Sequence, residues 1–231
     1  MGNAATPRAL TTRETSVTVP AGSVTLDGTL AIPDSADGVI LFAHGSGSSR
    51  HSPRNRYVAE ELRFAGFGTL LLDLLTPAEE AIDDETRELR FDIGFLADRL
   101  LAAMRWLSVE NATRALSLGL FGASTGAGAA LVAAAREPGR VSGVVSRGGR
   151  PDLAGAELPN VQAPTLLIVG SRDEPVIELN ERARAQMTAP VELVIVRRAT
   201  HLFEEPGTLE EVARLARGWF VRHLRGSRGT L

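Results

Sequence analysis

Three residues of this chain, Ser124, Asp173 and His201, have types and spacing that could open an ester bond. Ser124 is the centre of Gly122-Ala123-Ser124-Thr125-Gly126, a G-x-S-x-G turn between a short apolar run and an Ala- and Leu-rich run. A serine at so tight a corner has strained backbone angles, and its neighbours two positions away must be small. The corner lifts the hydroxyl above the sheet edge and turns the Thr125 N–H, with the positive end of the new helix, toward any oxyanion forming there. A serine hydroxyl is a weak nucleophile and needs a base to take its proton. The turn alone also fits a serine that merely caps a helix, so the base, the acid and a second oxyanion donor must come from elsewhere.

Of the four histidines, only His201 follows the last strand-like run, where a base is needed. His223 falls on the apolar side of the last helical run and reads as packing, His51 starts a helix, and His44 precedes a Gly/Ser-rich loop. Asp173 is nearest its strand end and leads as the acid, with Glu174 and Asp152 as competitors. The order Ser124, Asp173, His201 is the Ser…Asp…His order of α/β-hydrolases. His201 would then act as base and acid, Asp173 would orient it, and the N–H of Thr125 with one from the Gly45–Ser46 turn would hold the oxyanion.

The bulk numbers leave room for this chemistry and narrow the rest. The 231 residues suit one α/β domain, with 44% hydrophobic and 23% charged residues. A net charge of −3 gives no nucleic-acid footprint. With no cysteine there is no disulfide, thiolate metal site or cysteine nucleophile. No apolar run is long enough to span a membrane and no secretory h-region opens the chain, so a cytoplasmic location is expected. Gly2 and Thr6 fit the loose M-G-x-x-x-S/T acylation pattern, but residues 1–13 read as a disordered leader, followed by one α/β domain over 14–231. The Gly/Ser loop lacks the G-K-S/T of a Walker loop, and Gly126-Ala127-Gly128 does not complete G-x-G-x-x-G, so no nucleotide cofactor and no metal are expected.

Elements able to position these residues alternate along the chain. Thr15–Val19 and Ser23–Ile32 read as a hairpin-like pair, with Asp27-Gly28 as a bend. Buried-strand runs follow at Val39–Ala43, Thr69–Leu72, Ala115–Phe121, Val141–Val145, Thr165–Val169 and Val191–Val196. Helical patterns cover Asn55–Phe64, a segment capped by Asp92, Thr125–Ala135, Ile177–Met187 and Leu209–Leu224, the last behind a Thr208/Glu211 capping box. Leu74–Arg90 is acidic and irregular, a loop with a short helix. The fold class predicted is α/β, a mostly parallel sheet of about eight strands with helices on both faces. Its functional loops lie beyond the strands' carboxyl ends.

The chain resembles the dienelactone hydrolase-like group of α/β-hydrolases, above all small serine members carrying H-G-S-G-S-S-R-H-S-P-R-N, here His44 to Asn55. Matching stretches are Leu89-Arg90-Phe91-Asp92-Ile93, the elbow, Ser146-Arg147-Gly148-Gly149-Arg150-Pro151-Asp152-Leu153, and Ala199 to Gly207. The resemblance covers nearly everything after about residue 20. It implies Ser124, Asp173 and His201 as a triad, with Ser46 and Thr125 as oxyanion donors. The enzyme that names the group uses a cysteine nucleophile, which this chain lacks. Relatives fused to a phosphoribosyltransferase-like domain also exist, and this chain has no room for one.

The piece from Ser146 to Pro164 is too short for a helical cap domain, which predicts an open, shallow site suited to small soluble esters. Candidate substrate-binding residues are His44, Gly45, Arg54, Arg147 and Arg150. Arginines facing the pocket would favour an anionic acyl group; arginines turned outward would pair with the acidic stretch Glu79 to Glu88. The expected partner is a small-molecule ester, with neither nucleic acid nor membrane, and a homodimer is open. The leading function is a serine carboxylic-ester hydrolase. Alternatives are a thioesterase, a non-catalytic binding domain on the same fold, and a phosphate-ligand binder using the Gly/Ser loop and the arginines.

Overall fold

Runs that are apolar at every position become strands covered on both faces, and they set the order of the sheet. In β3 (Gly38–Ala43), β4 (Gly68–Leu72) and β7 (Thr165–Gly170) every residue is buried. The computed structural model describes residues 12–225, so the expected leader lies outside the described residues as far as residue 11. With β1 (Glu14–Ala21), β2 (Val24–Ala31), β5 (Ser117–Ala123), β6 (Val141–Arg147) and β8 (Val191–Val196), these strands form one eight-stranded sheet in the order β1-β2-β4-β3-β5-β6-β7-β8. β1 and β2 form an antiparallel hairpin, and β2 lies antiparallel to β4. Every pair from β4 to β8 is parallel.

Alternation along each central strand feeds two cores, because successive side chains point to opposite faces. Leu41, Leu120 and Val144 pack on one face with α3 (Ile93–Val109) and α4 (Thr125–Arg136). Phe42, Phe121 and Val145 pack on the other with α1 (Pro53–Phe64) and α6 (Thr208–Leu224). Phe42 and Phe121 stack with ring centroids 4.8 Å apart. Asp92 caps α3 through the Phe95 N–H, as the sequence predicts.

Three local expectations need correction. The acidic segment 74–90 is ordered by α2 (Pro77–Thr86), which a Thr76–Glu79 capping box starts. Buried Asp83 then takes the Arg90 guanidinium and backbone N–H, tying the segment's end back to α2. The fifth helix, α5 (Glu174–Arg184), begins three residues earlier than its apolar pattern because Pro175 suits the first turn. The Thr208/Glu211 box does not form: Gly207 is the cap residue, and the Thr208 hydroxyl donates back to the Glu205 carbonyl. Residues 151–160 are two short 3-10 turns broken at Gly155, not a cap domain, and leave the sheet edge open. Among the described residues no helix is long and apolar enough to cross a membrane.

Candidate active site

The carboxyl ends of β3, β5, β7 and β8 lie on one edge of the sheet, so the four loops singled out in the sequence meet there. Ser124 sits between β5 and α4 with φ 51° and ψ −123°, a positive φ on a non-glycine residue. Its N–H donates to the Arg147 carbonyl at 3.3 Å, and its carbonyl accepts the Arg150 N–H at 3.0 Å. Bonds from the β6 loop therefore hold the strained corner. Gly126 allows the approach: a Cβ there would strike the carbonyl oxygens of Ala43 and His44.

Asp173 and His201 come together because the loops after β7 and β8 are laced through their backbones. The Arg172 N–H donates to the Ala199 carbonyl at 2.9 Å, and the Asp173 N–H to the Gly170 carbonyl at 3.0 Å. A side chain on Gly170 would collide with the carbonyls of Ala199 and Thr200. The Thr200 N–H donates to the Glu205 carboxylate at 3.1 Å, and that bond leads the causes that hold the Glu205 carboxyl below its ordinary value. Sequence reasoning missed Glu205 as a brace for this loop, although it stands inside the Ala199–Gly207 motif.

The three side chains form a relay. His201 Nδ1 lies 2.7 Å from Asp173 Oδ2, and His201 Nε2 lies 3.3 Å from Ser124 Oγ. An Nδ1–H tautomer satisfies both contacts, donating to the carboxylate and accepting from the hydroxyl. The second contact is long for such a bond, as catalytic hydrogen bonds often are before substrate arrives. Neither Glu174 nor Asp152 takes the place of Asp173, since Asp152 is engaged by Arg150.

The two expected oxyanion donors face each other. Thr125 is the first residue of α4, where a backbone N–H has no intrahelical partner. The Ser46 N–H donates to the Thr125 hydroxyl at 2.9 Å, so it is occupied at rest.

A cavity of about 260 Å³ opens beside Ser124 and His201, with Gly45, Arg54 and Arg147 in its wall. Arg147 is buried, and burial pushes its guanidinium down to about 10, with the Arg54 charge acting the same way. Asn55, which the sequence reading did not single out for binding, accepts from Arg147 at 3.4 Å. Arg54 also reaches Glu204 at 3.0 Å.

Two expected binding residues are placed differently. Arg150 forms a two-pronged pair with Asp152 at 2.8 Å on each prong and does not line this cavity. Their i, i+2 spacing at the start of the 3-10 turn makes that pair local. His44 is buried with both ring nitrogens in use: Nδ1 lies 2.9 Å from the Gly45 carbonyl and Nε2 accepts the Leu74 N–H at 3.1 Å. Its ring pins the end of β3 to the end of β4, and desolvation holds it below its ordinary value. A second cavity of about 330 Å³ lies across the Gly45–Ser48 loop, walled by Leu74, Leu75 and Leu96 and by Glu80, Asp83 and Asp84. His223 stacks on Trp219 at 4.3 Å, in keeping with a packing role.

Known proteins share this arrangement over most of the chain. The structure of a dienelactone hydrolase from Anabaena variabilis is 61% identical, covers 93% of this chain and 99% of its own, and superposes with a TM-score of 0.91. A Mycobacterium tuberculosis protein given the provisional name phosphoribosyl transferase is 58% identical over 214 residues. That match spans 93% of this chain but 47% of the relative, so the chain spans about half the length of the curated relatives it matches first. A Bradyrhizobium protein, provisionally named a 2-oxo-3-(5-oxofuran-2-ylidene)propanoate lactonase, is 31% identical over 166 residues, 64% of this chain and 66% of its own. The dienelactone hydrolase family model matches residues 26–220, a span that holds β3 to β8, the elbow and the loops of Asp173 and His201: the chain belongs to the dienelactone hydrolase family.

Proposed function

We propose that this protein is a serine hydrolase of small, soluble carboxylic esters working through an acyl-enzyme. The observation that carries this reading is the continuous relay Ser124 Oγ–His201–Asp173 on a strained strand-to-helix corner. His201 Nε2 takes the Ser124 proton as Oγ bonds to the ester carbonyl carbon and the carbonyl electrons move onto oxygen. The Thr125 N–H receives the oxyanion. The Ser46 N–H turns to it from the Thr125 hydroxyl, because a developing oxyanion is the stronger acceptor. The imidazolium, steadied by Asp173, gives its proton to the leaving alcohol as the C–O bond breaks. Water then enters, His201 takes its proton, and collapse of the second tetrahedral intermediate frees the acid and Ser124.

Small esters follow from the shape. The cavity beside Ser124 is about 260 Å³, and no cap domain extends it. The lactonase name of the 31% identical relative adds support, since a lactone is an internal ester open to the same attack. The phosphoribosyl transferase name belongs to a protein twice this length and does not bear on the relay.

The test is hydrolysis of p-nitrophenyl acetate, butyrate and octanoate by the wild type and Ser124→Ala, with mass spectrometry after a fluorophosphonate probe. The expected result is turnover that favours acetate over octanoate, a fall of about 10³-fold or more in the variant, and label on Ser124. Folded protein with neither turnover nor label overturns the reading.

A further inference from the structure

We propose that the cavity beside Ser124 contains an anion subsite for a phosphoryl group on the non-reacting part of the substrate, formed by Arg147, Arg54 and the first turn of α1. The subsite deepens the hydrolase reading and rests on it only in placing the bound group away from the bond that is cleaved.

Arg147 carries the argument. It stands at the end of β6, in register with Ala123 and so next to the nucleophile corner. It is 7% exposed, its Nε has no partner, and its hydrogen bond to the neutral Asn55 amide is 3.4 Å long. A buried cation is costly unless paired. Arg99 shows how this fold meets that need elsewhere: it is 8% exposed, and it holds Glu79 and the Ala21 carbonyl. Among the described residues Arg147 has no such carboxylate, and none of them that line its cavity is acidic. Although burial pushes it down to about 10, it remains a cation at neutral pH. The counter-charge has to come with the ligand.

A second element points the same way. Ser52 caps α1, Pro53 opens it, and the first turn has no acidic residue. Ser52, Arg54 and Asn55 of that turn line the cavity, so the positive end of a twelve-residue helix faces it. The Arg54 partner, Glu204, is 63% exposed at its side chain and can be exchanged for a ligand. Donors therefore converge from the end of β6, the first turn of α1 and the Gly/Ser loop with its Ser48 hydroxyl. One guanidinium edge satisfies a planar carboxylate, whereas donors from three directions suit a tetrahedral group with three oxygens. The neighbouring cavity holds Glu80, Asp83 and Asp84 with one arginine, Arg90, already paired to Asp83 and Asp84, so its lining keeps a net negative charge that disfavours an anion.

Calorimetry at fixed ionic strength with inorganic phosphate and with acetate, on wild type, Arg147→Met and Arg54→Gln, tests the subsite without turnover. In parallel, kcat/KM is measured for 2-acetoxyethyl phosphate, acetoxyacetate and uncharged 2-acetoxyethanol. Saturable phosphate binding is expected, about tenfold or more weaker in Arg147→Met, weaker also in Arg54→Gln, and about tenfold tighter than acetate. The wild type should prefer the phosphorylated ester to the neutral one by about tenfold, a ratio that collapses in Arg147→Met. Absent phosphate binding by folded wild type, or equal binding by both variants, overturns the subsite. Acetate bound as tightly as phosphate overturns its phosphoryl assignment. Ester turnover without phosphate binding removes the subsite and leaves the hydrolase; phosphate binding without turnover or label does the reverse. Should Arg147→Met fail to fold, the wild type and Arg54→Gln still decide.

Discussion

Arg147 is a side chain whose burial works against the fold, and that gives a direct prediction. Its value in the folded protein, about 10, lies below the ordinary guanidinium value, so between the two the unfolded chain binds more protons. Stability therefore rises as pH climbs through that window, and the full cost is present at every pH below about 10. Arg147→Met keeps the long stem and removes the charge, so it should be more stable than the wild type by about 1–2 kcal/mol in denaturant titrations at pH 7. Phosphate should narrow the gap by stabilising the wild type more than the variant. His44 has the same sign in a lower window. Its folded value lies below 6.5, so stability should fall as pH drops below that ordinary value, when the unfolded chain protonates first. A His44→Gln variant should show a flatter pH profile of midpoint denaturant between pH 7 and 5. At this scale the sequence made Ser124, Asp173 and His201 legible, because each stands at a strand end in a recognisable order. It could not show that Arg150 is taken by Asp152 while Arg147 is left unpaired, since that depends on which way the chain turns after β6.

Between residues and the whole lie the loop crossings, where glycine permits one backbone to press on another. At Gly170 the chain after β7 touches the chain after β8, and this contact brings Asp173 within reach of His201. Gly170→Ala must push the two loops apart. The expected outcome is a loss of about 2–4 kcal/mol of stability and about 10²-fold or more of ester turnover, read by thermal unfolding and kcat/KM. The strands were legible because their runs are apolar throughout. The helix starts were less so: Pro175 and Gly207, rather than the apolar stripe or a Thr/Glu pattern, fix where α5 and α6 begin. The acidic stretch showed a short helix but not its extent, because the order of α2 depends on a capping box and on Asp83 reaching Arg90 seven residues on.

Over the whole molecule, charge is divided unevenly across the Gly45–Ser48 loop: Arg54 and Arg147 stand on the Ser124 side, and Glu80, Asp83 and Asp84 outnumber Arg90 on the other. Such a field orients a ligand with one charged end before it touches the relay. The division was legible only in part, since Arg54, Arg147 and residues 79–84 are far apart in sequence and meet through the β-α crossovers.

The position of α6 has a consequence for how the protein is made. Phe220 and Leu224 of this helix lie against Gly119 and Gly38 at the base of the central strands, and α6 covers the same core face as α1. On a ribosome, the strands are finished well before Thr208 emerges, yet one side of the sheet then has only α1 over it. His201 precedes α6 by only a few residues, so a nascent chain should hold a bare apolar face until α6 clears the exit tunnel. A chain stopped before Thr208 should be captured by a holdase chaperone and show no probe label on Ser124, whereas one extended past Leu224 on an arrested ribosome should be labelled once a spacer of about 30 residues follows it. Folding and the competence to react would then be acquired in a single late event.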